Sequence, residues 1–161
     1  AKPNEQGELW LKGPCVTPGY WNNSKATAKA KEGPWFKTGD VLIQDDEGYL
    51  YLVDRLKNMY ISGGENIYPS EIEKRLAQHP LVVEVAVKGV PDPKWGEVGC
   101  AFVVLKEEVS IPQLKAFCEE GLARFKVPKH WCFMSELPKG SSGKMIQRRR
   151  KNVVACGGFS E

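Results

Sequence analysis

The chain has 161 residues, 23 Lys+Arg against 20 Asp+Glu, a formal net charge of +3, and is 42% hydrophobic and 27% charged. That mixture describes a folded globular chain of one domain, or one domain with a subdomain, and excludes disordered and fibrous classes. No apolar run nears the roughly 20 residues of a membrane helix, and the polar opening Ala1–Gln6 lacks secretory-signal character, so neither membrane spanning nor export is expected.

Six bases and no acid lie between residues 139 and 151, which leaves 17 bases against 20 acids elsewhere. A nucleic-acid binder spreads its positive charge over a face, so no nucleic-acid partner is expected. The five cysteines (Cys15, Cys100, Cys118, Cys132, Cys156) are scattered, with no Cys-x-x-Cys pair and only two histidines. No metal site is predicted, the thiols in apolar settings read as small core residues, and a reducing compartment follows.

In chain order, Gly7–Gly13 alternates as a strand does. Asn22–Lys31 carries Ala and Lys behind polar starters and predicts a short helix. Val41–Ile43 and Tyr49–Val53 flank the turn residues Asp45–Gly48, a hairpin signal. This first region holds more aromatics (Trp10, Trp21, Trp35) than it has elements to cover them, and a hairpin with a bare apolar face is marginal in water. It reads as part of something larger, and its residues as poorly ordered or paired with another copy when alone.

From Asp54 the pattern is self-sufficient. Met59–Ile61 is a short strand leading to Ser62-Gly63-Gly64, and Pro69 opens a helix with Glu71 and Glu73 early in it and Ile72 and Leu76 on its buried stripe. Val82–Val87 and Val98–Leu105 read as central strands. Ser110-Ile111-Pro112-Gln113 is a capping-box start, followed by Leu114, Phe117, Gly121, Leu122 and Phe125 at helical spacing. His130–Met134 is a further strand. The class is α+β: a small three-stranded sheet with two helices on one face.

Three polar clusters interrupt these elements. Phe36-Lys37-Thr38-Gly39-Asp40 reads as a turn with an acidic tip. Asp54-Arg55-Leu56-Lys57-Asn58 precedes a glycine pair at Gly63-Gly64, where backbone can bend or approach a ligand closely. Pro138-Lys139-Gly140-Ser141-Ser142-Gly143-Lys144-Met145 suggests a phosphate-binding P-loop, but its glycine gap is too short and Met145 stands where that motif needs a hydroxyl. What survives is Lys144 in a Gly/Ser loop, a point charge deliverable to a phosphate. Taken singly, each cluster is also compatible with a satisfied turn, a surface linker or a solvated chain end.

In this order the clusters resemble the C-terminal part of the adenylate-forming superfamily, and within it the acyl-CoA synthetases. The resemblance runs over about residues 7–150. It passes through Gly7-Glu8-Leu9, Pro18-Gly19-Tyr20-Trp21-Asn22, Thr38-Gly39-Asp40, Asp54-Arg55-Leu56-Lys57 and Gly63-Gly64-Glu65-Asn66-Ile67-Tyr68-Pro69 with Ser70-Glu71-Ile72-Glu73. It continues through Pro91-Asp92, Trp95-Gly96-Glu97, Phe125-Lys126-Val127-Pro128-Lys129 and Leu137-Pro138-Lys139 with Ser142-Gly143-Lys144. The Gly63–Pro69 form is more like acyl-CoA synthetases than amino-acid-activating modules.

The resemblance implies that residues 1–53 are the β-rich tail of a large N-terminal AMP-binding domain, otherwise missing, that 54–151 form a mobile C-terminal lid, and that 152–161 are a tail. It implies an ATP-dependent ligase that adenylates a carboxylic acid and passes the acyl group to CoA, with Mg²⁺ accompanying ATP and the fragment alone inactive. Asp40 and Arg55 would hold the ribose of ATP or AMP, since an acceptor-only carboxylate suits a vicinal diol. Asp54 would be the hinge. Lys144 would bridge the carboxylate and the α-phosphate during adenylation. Gly63, Gly64 and Glu65 would line the pantetheine path of CoA. Asn58 stands where relatives more often carry an acid. Lys144 also resembles a site of protein acetyltransferases, whose modification would erase its charge. The alternatives are a lid acting only as a regulatory module for such a transferase, or a relative using another acceptor. The acid stays open among fatty, aromatic and dicarboxylic classes, and the expected location is cytoplasmic, with the mitochondrial matrix as second choice.

Overall fold

The computed structural model describes residues 2–138, which form two compact units, one ending at Met59 and the next beginning at Tyr60. Lys144, the basic run at 148–151 and the tail lie outside the described residues. The boundary read near 53/54 falls in a strand, because Asp54 and Arg55 are still paired to their neighbour strand.

In the first unit, β1 (Gln6–Leu11), β2 (Lys31–Glu32), β3 (Trp35–Gln44) and β4 (Leu50–Arg55) make an antiparallel sheet centred on β3. β1 runs along one edge of β3; β2 and β4 share the other. The short helix α1 (Ser24–Ala30) starts at Asn23, whose side chain accepts from the Ala26 N–H at 3.0 Å, an N-cap that satisfies an otherwise orphan donor. The β3–β4 hairpin turns as expected: Asp45 Oδ1 accepts from the N–H groups of Glu47 and Tyr49, and Gly48 has φ +91°. The region thus forms its own four-stranded sheet. Among its described hydrophobic residues only Val41 is fully buried, while Tyr49, Leu50, Tyr51 and Leu52 are exposed and Trp21 is 93% exposed.

The second unit places β5 (Tyr60–Ser62), β6 (Glu65–Ile67), β7 (Val82–Asp92), β8 (Gly96–Leu105) and β9 (His130–Phe133) in one sheet. β7 lines one edge of β8. On the other edge lie β5, at the Gly96 end, and β9, which runs parallel to β8. The α+β class holds, but the sheet has five strands instead of three. The glycine pair is a hairpin tip that adds β5 and β6, where the sequence reading had one short strand and a loop.

Helices α2 (Pro69–Ala77) and α3 (Ile111–Glu119) cover one face, where Ile72, Leu76, Leu114 and Cys118 pack with Ile67, Ala101 and Val103. On the opposite face Ala86, Cys100, Phe102, Cys132 and Leu137 form a second cluster. β8 therefore contributes alternate residues to both clusters, which explains its unbroken apolar run. The capping box at Ser110/Gln113 is present. α3 ends at Glu119, so Gly121, Leu122 and Phe125 leave the helix, and Phe125 sits on a separate 3-10 turn.

Tyr60 fixes β5 against this sheet. Gly89 and Gly99 are opposite one another in the β7–β8 ladder. A Cβ on Gly89 would stand 2.4 Å from Tyr60 Cβ, and one on Gly99 would stand 2.6 Å from the Tyr60 hydroxyl. Only bare backbone leaves room for that ring.

Candidate nucleotide and thiol sites

Asp40 and Arg55 are brought together. They face each other across β3 and β4, and Arg55 Nε donates to Asp40 Oδ1 at 2.8 Å. The Asp40 side chain keeps 28% of its accessible surface and that of Arg55 keeps 55%, so the pair is reachable from solvent.

Asp40 does not sit on a turn tip, as the sequence suggested, but within β3 at a bulge. Glu8 pairs with Val41 and Trp10 with Lys37, so β3 carries extra residues between these rungs. Gly39 takes φ +73°, a left-handed value that favours glycine. The Thr38 hydroxyl donates to the Leu9 carbonyl at 2.8 Å and accepts from the Asp40 N–H at 3.1 Å. The Gly39 N–H donates to Glu8 Oε1 at 3.0 Å, and Trp10 Nε1 donates to Glu8 Oε2 at 2.7 Å. Local sequence cannot show this bulge, because its register depends on a strand about thirty residues earlier.

Asp54 is buried, 8% exposed, at a second register irregularity that sets it opposite Val41. Its Oδ1 accepts from the Arg55 N–H at 2.6 Å and from Asn58 Nδ2 at 2.8 Å. Asp54 thereby ties the strand to the 3-10 turn Leu56–Asn58 that leads out of the first unit. Asn58 supplies a donor that a carboxylate at this position would lack.

Gly63, Gly64 and Glu65 belong to the second unit. Ser62 pairs with Glu65, so Gly63 and Gly64 are the two residues of a tight hairpin turn, at φ +60° and +91°. Positive φ at both central positions is the type I′ requirement. Gly63 N–H donates to the Trp95 carbonyl at 2.9 Å, and a Cβ on Gly63 would stand 2.8 Å from Trp95 Cε3. Sequence reasoning quoted Trp95 but gave it no role; its contact with Gly63 is made across the sheet.

The Trp95 ring lies near two ammonium groups, Lys94 Nζ at 5.0 Å and Lys129 Nζ at 4.5 Å from its centroid, within cation–π range. The loop is braced by Asp92 Oδ1, which accepts from the N–H groups of Trp95 at 2.8 Å and Lys94 at 2.9 Å. Those bonds, Trp95's first, and the charges of Lys129 and His130 hold the Asp92 carboxyl below its usual range.

Tyr60 is a buried ionisable group of this unit. Burial, with Glu97's negative charge second, pushes its phenol well above its ordinary value, and its hydroxyl has no hydrogen-bond partner among the described residues. Burial likewise raises the Cys118 thiol to about 11. No described helix is long and apolar enough to cross a membrane.

Residues 71–144 match the AMP-binding enzyme C-terminal domain. The chain is 47% identical over 152 residues to a 2-succinylbenzoate–CoA ligase of Bacillus thuringiensis subsp. konkukian (strain 97-27), covering 94% of this chain and 32% of the relative. It superimposes with a TM-score of 0.87 at 42% identity on the o-succinylbenzoate CoA synthetase (MenE) from Bacillus subtilis in complex with the acyl-adenylate intermediate OSB-AMP, over 94% of this chain and 31% of that one. A second structure of that synthetase is in complex with ATP and magnesium ion. The amide bond synthetase McbA from Marinactinospora thermotolerans gives a TM-score of 0.86 at 34% identity, over 95% of this chain and 32% of that one. The chain thus spans about a third of the length of the relatives it matches.

Proposed function

The chain belongs to the adenylate-forming, AMP-binding superfamily, and from that premise we propose that it is the C-terminal portion of an acyl-CoA ligase and serves both half-reactions of such a ligase. In the first, a carboxylate attacks the α-phosphorus of ATP, forming the acyl–phosphate bond as pyrophosphate leaves. In the second, the CoA thiol attacks the acyl carbon and AMP leaves.

The observation that carries this reading is the Asp40–Arg55 pair. A carboxylate that only accepts, oriented at 2.8 Å by a guanidinium and still open to solvent, suits the two hydroxyls of a ribose. Arg55, more exposed than its partner, is the group that reaches the ribose from the other side. Asp54 acts as the hinge residue by anchoring one end of the pivot. Its own backbone is held in the ladder, so the torsions that turn are those of Leu56–Asn58, whose last side chain its carboxylate holds through the Asn58 amide.

Gly63 and Gly64 present backbone without side chains, and Trp95 and Glu65 flank them as the wall of the thiol path. A slim pantetheine arm can pass such a surface. Lys144, the last residue of the family match, supplies the positive charge for adenylation. Acetylation of Lys144 would remove that charge. Mg²⁺ is assigned to the ATP phosphates as part of the substrate, in keeping with the related synthetase structure in complex with ATP and magnesium ion.

The test is an ATP–pyrophosphate exchange assay on the full-length protein, followed by CoA. 2-Succinylbenzoate is the first acid to supply, because it is the acid named for the relatives that match this chain. Acid-dependent exchange with thioester formed on CoA addition is expected. No exchange across a panel of acids would overturn the adenylation reading. The likeness to an amide bond synthetase supports a second acceptor class, and product formed with amines but not with CoA would select it.

A further inference from the structure

We infer that Glu8 is a positioning residue for nucleotide recognition, acting through the bulge that presents Asp40. The inference rests on Asp40 being the ribose ligand. A bulged strand has lost regular ladder bonds at that point, so something else must hold its shape. Here the Gly39 N–H and the Thr38 hydroxyl bond to β1, the first through the Glu8 carboxylate and the second through the Leu9 carbonyl.

Glu8 uses both oxygens. Oε1 takes the Gly39 N–H and Oε2 takes the Trp10 indole N–H, so the carboxylate bridges the bulge to a large ring on its own strand. That ring is held in turn by the Lys37 ammonium, 4.8 Å from its centroid, and Lys37 is paired with Glu32 on β2. β1 thus holds Thr38 and Gly39 immediately before Asp40, with β2 bracing the Trp10 ring through Lys37, while Arg55 on β4 grips the Asp40 carboxylate.

The chemistry of the bridge gives a sharp prediction. Glutamine at position 8 has one acceptor oxygen and one donor amide, but faces two donors. Because the two donors face different oxygens of Glu8, glutamine held in that geometry turns its oxygen to one and its NH₂ to the other, leaving Gly39 or Trp10 without an acceptor. Removing the indole N–H frees the single oxygen for Gly39, so Trp10→Phe should rescue Glu8→Gln.

The experiment uses the full-length enzyme and pyrophosphate exchange with ATP, 2′-deoxy-ATP and 3′-deoxy-ATP, alongside thermal melting and KM for CoA. Asp40→Asn is expected to bring the preference for ATP over both deoxy analogues close to unity. Glu8→Gln should cut that preference by roughly tenfold, the scale of a hydrogen bond to a charged group, with KM for CoA unchanged, and adding Trp10→Phe should restore most of it. Thr38→Val reads the same bulge from its other bond and should move the preference in the same direction. Should Glu8→Gln and Thr38→Val both keep the parental preference while Asp40→Asn abolishes it, the positioning role is wrong and the ribose reading stands. A parental preference in Asp40→Asn itself would overturn the ribose reading, and the role of Glu8 with it. Equal losses for ATP, the deoxy analogues and CoA, with a lowered melting temperature, would mark Glu8 as merely structural.

Discussion

The two units solve the problem of shape by different means. The second buries Ile67, Ile72, Leu76, Val87, Ala101, Val103, Leu114 and Cys118 in contact with one another, and carries its glycine hairpin on that core. The first buries one described hydrophobic residue, Val41, and shapes its site with hydrogen bonds and ion pairs: Glu8 to Gly39, Thr38 to Leu9, Asp40 to Arg55, Asp54 to Asn58. Position in the first unit is a matter of polar geometry. In the second it is a matter of packing.

The widest test of that contrast is truncation. Ile72→Ala, which empties part of the helix–sheet core, should cost about 2–5 kcal/mol in denaturant unfolding of the second unit. Leu52→Ala, on an exposed strand face of the first, should stay within about 0.5 kcal/mol. Similar losses at both positions would break the comparison.

Next in size is the division of labour between half-reactions. Lys144→Ala in the full-length enzyme should slow adenylation on the order of 10²–10³-fold and spare thioester formation from supplied acyl-adenylate. Equal losses in both would remove the two-step assignment.

The glycine hairpin sharpens the contrast from the packing side. Gly63→Ala places a methyl group 2.8 Å from the Trp95 ring at a φ of +60°, and left-handed backbone alone costs a non-glycine residue roughly 1–2 kcal/mol. Thioester formation should fall about tenfold, the rate equivalent of about 1.4 kcal/mol, with adenylation unchanged. Gly64→Ala meets no atom within 4 Å and should show a smaller loss, from backbone strain alone.

The smallest effect concerns pH. The Tyr60 phenol has its folded pKa raised by burial above the unfolded value of about 10, so its contribution to stability is complete below that pH and is lost as pH rises through the folded value. Cys118, raised to about 11 by burial, acts in the same direction. Tyr60→Phe should therefore shift alkaline unfolding upward in an equilibrium titration. It should leave neutral stability unchanged or raise it by up to about 1 kcal/mol, because a buried hydroxyl with no partner among the described residues is removed. An unaltered alkaline limb would show that the phenol does not drive it.

The same contrast explains what the amino-acid order revealed. β7, β8, α2, α3 and the β3–β4 hairpin were legible because periodicity, caps and turn residues are local signals. The Asp40 bulge was misread as a turn, because Gly39 looks the same in either setting and only pairing with β1 distinguishes them. The β5–β6 hairpin was half seen: Gly63-Gly64 was noticed, but Glu65–Ile67 is too short to show alternation. Glu8 drew no attention beyond its place in a family motif, since an acid in a strand is ordinarily a solvated side chain. Residues whose importance lies in a partner many positions away leave little trace in a single chain.

Tyr60, Gly89 and Gly99 form one such long-range set, and they bind three codons into a single unit of inheritance. A descendant that gains a side chain at Gly99 must also lose the Tyr60 hydroxyl, whereas one that gains a side chain at Gly89 would still meet the Cβ of any side chain at position 60. Drift at position 99 should therefore follow a change at position 60, and position 89 should stay glycine while residue 60 carries any side chain.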